Sequence, residues 1–127
     1  MAGRVVHFEI PYDDGDRARA FYQQVFGWQL NVVPGMGYTL VMTGPSGAHG
    51  PTEPGFINGG MMERQGPFTG PNVVIDVDNI EDALAAVNRA GGKTVAERMP
   101  VGDMGFSAYF ADPEGNLIGL WETAAGG

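Results

Sequence analysis

The sequence contains an internal repeat, in which the residue pattern of the first half recurs in the second half at an offset of 65 residues. Adding 65 to positions 7, 18 and 27 gives positions 72, 83 and 92. His7–Ile10 therefore corresponds to Asn72–Ile75, and Gly27 corresponds to Gly92. A repeat of this length predicts two copies of one supersecondary unit that share a core. It also allows each half to be compared with the other, position by position.

Each copy contains a strand, a helix and three further strands, as judged from its apolar periodicity. Along Val5–Ile10, alternation places Phe8 on one face of a strand and His7 and Glu9 on the other. Apolar residues at helical spacing follow, and Gly27 ends the predicted helix. One helix covers only one face of a four-stranded sheet, so the other face needs a ligand or a second sheet. The predicted fold is α+β, with two βαβββ modules whose curved mixed sheets surround a groove.

The length of 127 residues suits a single domain. Module one is predicted over about residues 1–64, a linker over about 65–71, and module two over about 72–124. Residues 44–58 are dense in glycine and proline, which predicts a loop without regular elements. A lid that covers a substrate and a disordered segment are both open interpretations of this loop.

Composition and charge exclude several classes of function. The net charge is −8, with 15 acidic and 7 basic residues, which disfavours nucleic acid and is compatible with neutral or cationic small molecules. The absence of cysteine excludes disulfides and thiolate metal sites. No apolar run approaches the ~20 residues of a membrane span, and no signal-like stretch follows Met1. We therefore expect a cytoplasmic protein with no membrane partner.

Several short motifs together resemble the vicinal oxygen chelate superfamily, which includes glyoxalase I, bleomycin-resistance proteins and extradiol dioxygenases. The resemblance covers nearly the whole chain and implies paired βαβββ modules, a site in the sheet concavity and, often, two chains per functional unit. A homodimer is therefore expected. The motifs are His7 placed fourteen residues before Phe21-Tyr22, the helix end Phe26-Gly27-Trp28, the run Val77-Asp78-Asn79-Ile80, the pair Gly91-Gly92 and the turn Asp112-Pro113-Glu114-Gly115-Asn116.

The resemblance also implies where catalytic members of the superfamily bind a divalent metal. The four ligand positions lie on the first and last strands of each module and correspond here to His7, Gly60, Asn72 and Gly119. Glycine offers no side chain, and asparagine is a poor ligand for a transition metal. We therefore expect no resident metal and no other cofactor. The alternative is a divalent ion (Zn, Ni, Fe or Mn) held by His7 with Glu9.

His7 and Glu9 are the candidate catalytic residues. His7 has three open interpretations: a metal ligand, a general acid or base, or a histidine that is simply hydrogen-bonded in the groove. A carboxylate at Glu9 that faces an apolar concavity would need a partner or water. The predicted ligand-binding residues, most of them aromatic or sulfur-containing, are Tyr38, Phe56, Met62, Asn72, Phe106 and Trp121.

Two classes of function follow from these residues. The first is a glyoxalase- or bleomycin-resistance-like protein that binds a small organic molecule in the groove without the usual metal. The alternative is a metal-dependent lyase, isomerase or dioxygenase that uses His7 and Glu9. Whether the chain is an enzyme at all is left open, because a fold of this kind hosts several chemistries.

Overall fold

The computed structural model describes residues 3–125, which divide into two compact units. One unit is His7–Pro71, and the other consists of residues 3–6 together with 72–125. Each unit contains one helix and one four-stranded mixed sheet, so the predicted α+β class and the two βαβββ repeats are confirmed. None of the helices in the described residues is long and apolar enough to cross a membrane.

The unit His7–Pro71 has its strands in the order β2-β3-β6-β1. The first and last strands, β1 and β6, are parallel neighbours, whereas β3 pairs antiparallel with both β2 and β6. The elements are β1 (Arg4–Tyr12, which belongs to this unit from His7 onward), α1 (Gly15–Phe26), β2 (Gln29–Val33), β3 (Tyr38–Met42), β4 (Ser46–Gly47), β5 (Gly50–Pro51) and β6 (Asn58–Glu63).

The other unit repeats this order as β7-β10-β9-β8. Its first and last strands, β7 and β10, are again parallel, and β9 pairs antiparallel with β10 and β8. The elements are β7 (Asn72–Asp76), α2 (Ile80–Arg89), β8 (Lys93–Val101), β9 (Gly105–Ala111) and β10 (Leu117–Thr123).

The two sequence repeats have equivalent strand-pairing registers in the structure. Glu9 on β1 lies opposite Gly60 on β6, and Val74 on β7 lies opposite Gly119 on β10. Position 74 is position 9 plus 65, so Gly60 and Gly119 occupy equivalent places in their sheets. The correspondence of these two glycines that the sequence predicted is thereby confirmed.

The segment between β3 and β6 contains regular structure, so the prediction that residues 44–58 lack any regular element is wrong. Ser46–Gly47 and Gly50–Pro51 form a small antiparallel hairpin, closed by a hydrogen bond from Thr52 N to Pro45 O of 2.9 Å. The hairpin is possible because Gly50 adopts φ 106°, a conformation that favours glycine.

Helix α1 begins where the Asp14 side chain accepts a hydrogen bond from Arg17 N, and it ends at Gly27, whose φ is 70°. Arg19 on this helix donates to the Oγ1 of Thr39 at 3.1 Å, which fixes the face of the sheet that α1 covers. By strand alternation, Met61 and Val41 lie on the same face as Thr39, and all three are almost completely buried.

The core of the second unit lies under α2. Asn79 caps this helix by accepting from Asp82 N, and the Glu122 carboxylate on β10 accepts from Ile80 N at 2.9 Å. Arg98 donates to the same carboxylate, which holds the Glu122 pKa below its ordinary value. The buried core residues under the helix are Ile80, Leu84, Ala108 and Leu120.

We predict that Ile80→Ala lowers the free energy of unfolding by about 2–5 kcal/mol, because Ile80 is fully buried and truncation leaves a cavity. Chemical denaturation measures the change. The control is Val25→Ala on α1, where the side chain is 55% exposed and a change below about 0.5 kcal/mol is expected. Equal losses in the two variants would contradict this assignment of the core.

Candidate functional site

The candidate site lies on the sheet face of the His7–Pro71 unit that is opposite α1. We call this surface the site face and define it by His7, Glu9, Tyr38, Gly60 and Met62. Strand alternation places His7 and Glu9 together on β1, and the register brings Gly60 beside Glu9 and Tyr38 beside Met62. The predicted orientation of His7 and Glu9 away from Phe8 is confirmed, since Phe8 packs on Trp28 at the end of α1.

A hydrogen-bonded chain joins three of these side chains. The Tyr38 hydroxyl lies 2.9 Å from the His7 Nε2 and donates to the Glu9 Oε2 at 3.0 Å. Glu9 is 4% exposed, so this contact supplies a donor to a carboxylate that is almost out of reach of water. The structure therefore brings together both predicted catalytic residues and one predicted ligand-binding residue.

Gly60 makes the contact between Tyr38 and Glu9 geometrically possible. The strand order β3-β6-β1 puts β6 between Tyr38 and the two β1 residues, so the tyrosine side chain has to pass over β6. A Cβ at position 60 would overlap the Tyr38 hydroxyl. The hydroxyl thus fills the space that any other side chain at Gly60 would take.

The electrostatics of the site favour a neutral His7. Burial lowers the pKa of the His7 imidazole below its ordinary value of 6.5, and the nearby Glu9 carboxylate opposes this shift without reversing it. Near neutral pH the ring is uncharged, so one of its nitrogens carries a proton and the other has a free lone pair.

Two further predicted residues of this unit lie in different surroundings. Met62 is a partly buried neighbour of Tyr38 on the site face. Phe56 packs instead over Gly44, where a Cβ would come within 2.7 Å of its ring. Met62 thus pairs with Tyr38, a member of the hydrogen-bonded chain, whereas Phe56 packs at Gly44.

In the second unit, the predicted residues lie on both faces of the sheet. Asn72 is 6% exposed, and its amide has no hydrogen-bond partner among the described residues. Trp121 pairs with Ser107 on the face opposite α2 and donates its Nε1–H to Thr123. Phe106 lies on the α2 face, where it packs against the core cluster and carries the Arg98 guanidinium 3.5 Å above its ring. Phe106 therefore does not share a face with Trp121.

The sequence did not reveal the role of the Tyr38 hydroxyl or of Gly60. Tyr38 was predicted only as a ligand-binding ring, and Gly60 only as a ligand position without a side chain. One usable signal was present, because a carboxylate predicted to face the concavity at Glu9 needs a donor. No pattern in the sequence singles out Tyr38 as that donor.

Comparison with known proteins identifies the family. A protein-family model described as "Bleomycin resistance protein-like N-terminal" matches residues 4–44. A Vibrio parahaemolyticus protein named "Probable lactoylglutathione lyase" is 31% identical over an alignment of 127 positions that covers 93% of this chain and 89% of that protein. The chain belongs to the glyoxalase/bleomycin resistance protein/dioxygenase superfamily.

Other similar proteins differ from this chain in length or resemble it in fold alone. "Putative glyoxylase CFP32" of Mycobacterium bovis is 31% identical over 91% of this chain, which spans only 44% of that protein. The crystal structure of a glyoxalase/bleomycin resistance protein/dioxygenase superfamily member from Vibrio splendidus matches with a TM-score of 0.61 at 18% identity. The match covers 96% of this chain and 99% of the Vibrio splendidus chain. Streptomyces coelicolor methylmalonyl-CoA epimerase, in complex with 2-nitronate-propionyl-CoA, has a TM-score of 0.66 at 17% identity, over 98% of this chain and 97% of its own. At these identities, the two structures show a shared fold.

The residues present do not fit the divalent metal that the superfamily implies. Of the four expected ligand positions, Gly60 and Gly119 offer no side chain, and the His7 Nε2 is already hydrogen-bonded to Tyr38. The described residues contain no group of three or more His, Cys, Asp or Glu side chains placed to share an ion. A site of one histidine and one carboxylate falls short of the usual donor set for such a metal.

We predict that Tyr38→Phe lowers the free energy of unfolding by about 1.5–3 kcal/mol, because it removes the donor to the buried Glu9 carboxylate. Denaturation at neutral pH measures the loss. The matched control is Tyr22→Phe, since the Tyr22 ring stacks on Trp28 and no described residue bonds its hydroxyl. If the two variants are equally stable, the contact between Tyr38 and Glu9 does not form in solution.

We predict that acidification below pH 6.5 destabilises the protein more than it destabilises His7→Gln. The folded-state pKa of His7 is lowered, so between that value and 6.5 the unfolded chain binds more protons than the folded one. The stabilising contribution of neutral His7 is complete above pH 6.5 and is lost as the pH falls through the lowered pKa. Denaturation midpoints across pH measure the difference, and parallel pH profiles for the two proteins would contradict the lowered pKa.

Proposed function

We propose that this chain binds a small organic molecule at the site face and that it does so without a resident divalent metal. The observation that carries the proposal is the Tyr38 hydroxyl, which is bonded to both His7 and Glu9 in the space above Gly60. The polar groups of the site are thereby preorganised by one another. No side chain is left to complete the superfamily's ligand set at Gly60.

The surroundings of the hydrogen-bonded chain support a binding role. Met62 is partly buried beside Tyr38, and Leu40, which pairs with Gly60, is 38% exposed. Apolar side chains around a few fixed polar groups are typical of sites for small molecules. The net charge of −8 favours neutral or cationic molecules over anions.

A second candidate is lyase, isomerase or dioxygenase chemistry at His7 and Glu9. The specific observation in its favour is the lowered pKa of His7, since a neutral imidazole beside a carboxylate can act as a general base near neutral pH. Two similar proteins are named for enzymes, a lactoylglutathione lyase and a methylmalonyl-CoA epimerase. Such chemistry would use the same three side chains as the binding function.

We predict that the purified protein carries no stoichiometric Zn, Ni, Fe or Mn and shows no glyoxalase turnover. We also expect it to bind members of a library of neutral and cationic fragments. His7→Ala and Tyr38→Phe should each reduce fragment affinity by roughly tenfold, because each removes a polar group that fixes ligand orientation. Elemental analysis, an enzyme assay and ligand-observed NMR measure the three properties.

The control for fragment binding is Val25→Ala, whose side chain lies on α1 and is 55% exposed. Fragment affinity should be unchanged in this variant. Stoichiometric metal that is lost in His7→Ala would overturn the metal-free proposal. Glyoxalase turnover that disappears in the same variant would favour the second candidate.

A further inference from the structure

We infer that Tyr38 is a positioning residue, which holds neutral His7 in the tautomer protonated at Nε2 and so presents the Nδ1 lone pair to the ligand. The ligand class that this arrangement selects is a neutral or cationic molecule with an O–H or N–H group to donate. The inference about the ligand rests on the proposed binding function. The tautomer itself is a property of the ligand-free protein.

The first step concerns the single proton of the Tyr38 hydroxyl. This hydroxyl lies between two acceptor-capable groups, the Glu9 Oε2 at 3.0 Å and the His7 Nε2 at 2.9 Å. It donates to the carboxylate, which is nearly buried and can only accept when ionised. Because the hydroxyl has no second proton, the contact with His7 is a hydrogen bond only if the Nε2 donates.

The second step concerns the other ring nitrogen of His7. A neutral imidazole with its proton on Nε2 has a lone pair on Nδ1. Within residues 3–125, Tyr38 is the one hydrogen-bond partner of the His7 ring. His7 is also only partly buried on the site face, so we expect a ligand at this face to reach the Nδ1 acceptor.

The third step concerns the strength and sign of that acceptor. The hydrogen-bonded chain begins at the negatively charged Glu9 carboxylate, passes through the Tyr38 hydroxyl and reaches the His7 ring, where Nδ1 is its last atom. Hydrogen bonds in series polarise one another, so the carboxylate strengthens the acceptor at Nδ1. A donor group on the ligand gains from this arrangement, whereas an anion is repelled by it.

Gly60 acts through Tyr38. Any Cβ at position 60 would overlap the Tyr38 hydroxyl, which is the far end of a side chain that can move away. Gly60→Ala should therefore displace the hydroxyl from the space between His7 and Glu9. The equivalent glycine of the other repeat, Gly119, provides a matched control, because its nearest neighbours are Val74 and Tyr109 carbon atoms at 3.0 and 3.1 Å.

Nitrogen-15 NMR of the imidazole ring in the ligand-free protein tests the tautomer. A His49→Gln background leaves His7 as the only histidine, so its ring signals need no further assignment. We expect the Nε2–H tautomer above pH 7, with Gly119→Ala unchanged. Tyr38→Phe and Gly60→Ala should each produce a mixture of the two tautomers. The Nδ1–H tautomer in the parent protein would overturn the inference, as would an unchanged tautomer in both Tyr38→Phe and Gly60→Ala.

A matched pair of probes, benzyl alcohol and benzyl methyl ether, tests the ligand class. By chemical-shift titration of His7, the alcohol should bind roughly three- to tenfold more tightly than the ether, the range expected for one hydrogen bond. Tyr38→Phe should reduce this preference. Equal affinities for the two probes would overturn the assigned ligand class. Binding of neither probe to a protein with the expected tautomer would contradict the proposed function and leave the tautomer assignment standing.

Discussion

The parallel pairing of the first and last strands within each repeat determines which side chains meet in this protein. In the His7–Pro71 unit, this pairing places Gly60 beside Glu9 and leaves space above β6 that the Tyr38 hydroxyl occupies. A shift of one residue would turn His7 and Glu9 toward α1, because successive side chains of a strand point to opposite faces. The hydrogen-bonded chain therefore depends on this register.

The Tyr38 hydroxyl supplies a hydrogen-bond donor to the Glu9 carboxylate, which burial removes from water. An isolated ionised carboxylate at 4% exposure would be costly, and the hydrogen bond from Tyr38 at 3.0 Å offsets part of that cost. The same contact engages His7, so a single side chain satisfies one group and orients the other. Tyr38 thus occupies the space that a side chain at position 60 on β6 would otherwise fill.

The two repeats retain the same fold but differ in chemistry. Asn72 corresponds to His7, and its buried amide has no hydrogen-bond partner among the described residues, which by itself costs on the order of 1–3 kcal/mol. In the second unit, Val74 takes the place of Glu9 and faces Gly119 without a charge to satisfy. Within residues 3–125, the chain formed by His7, Tyr38 and Glu9 therefore belongs to the His7–Pro71 unit, and Asn72 and Val74 stand at the positions of its histidine and its carboxylate in the other unit.

The sequence by itself determined the elements of each repeat, the faces of β1 and the equivalence of Gly60 with Gly119. These features follow from local periodicity, capping residues and the 65-residue offset. Only the tertiary structure decided that Tyr38 bonds both His7 and Glu9, that Phe106 packs under α2, and that residues 46–51 form a hairpin. His7 and Tyr38 are 31 residues apart, and such a contact depends on strand order and register, which no local pattern specifies.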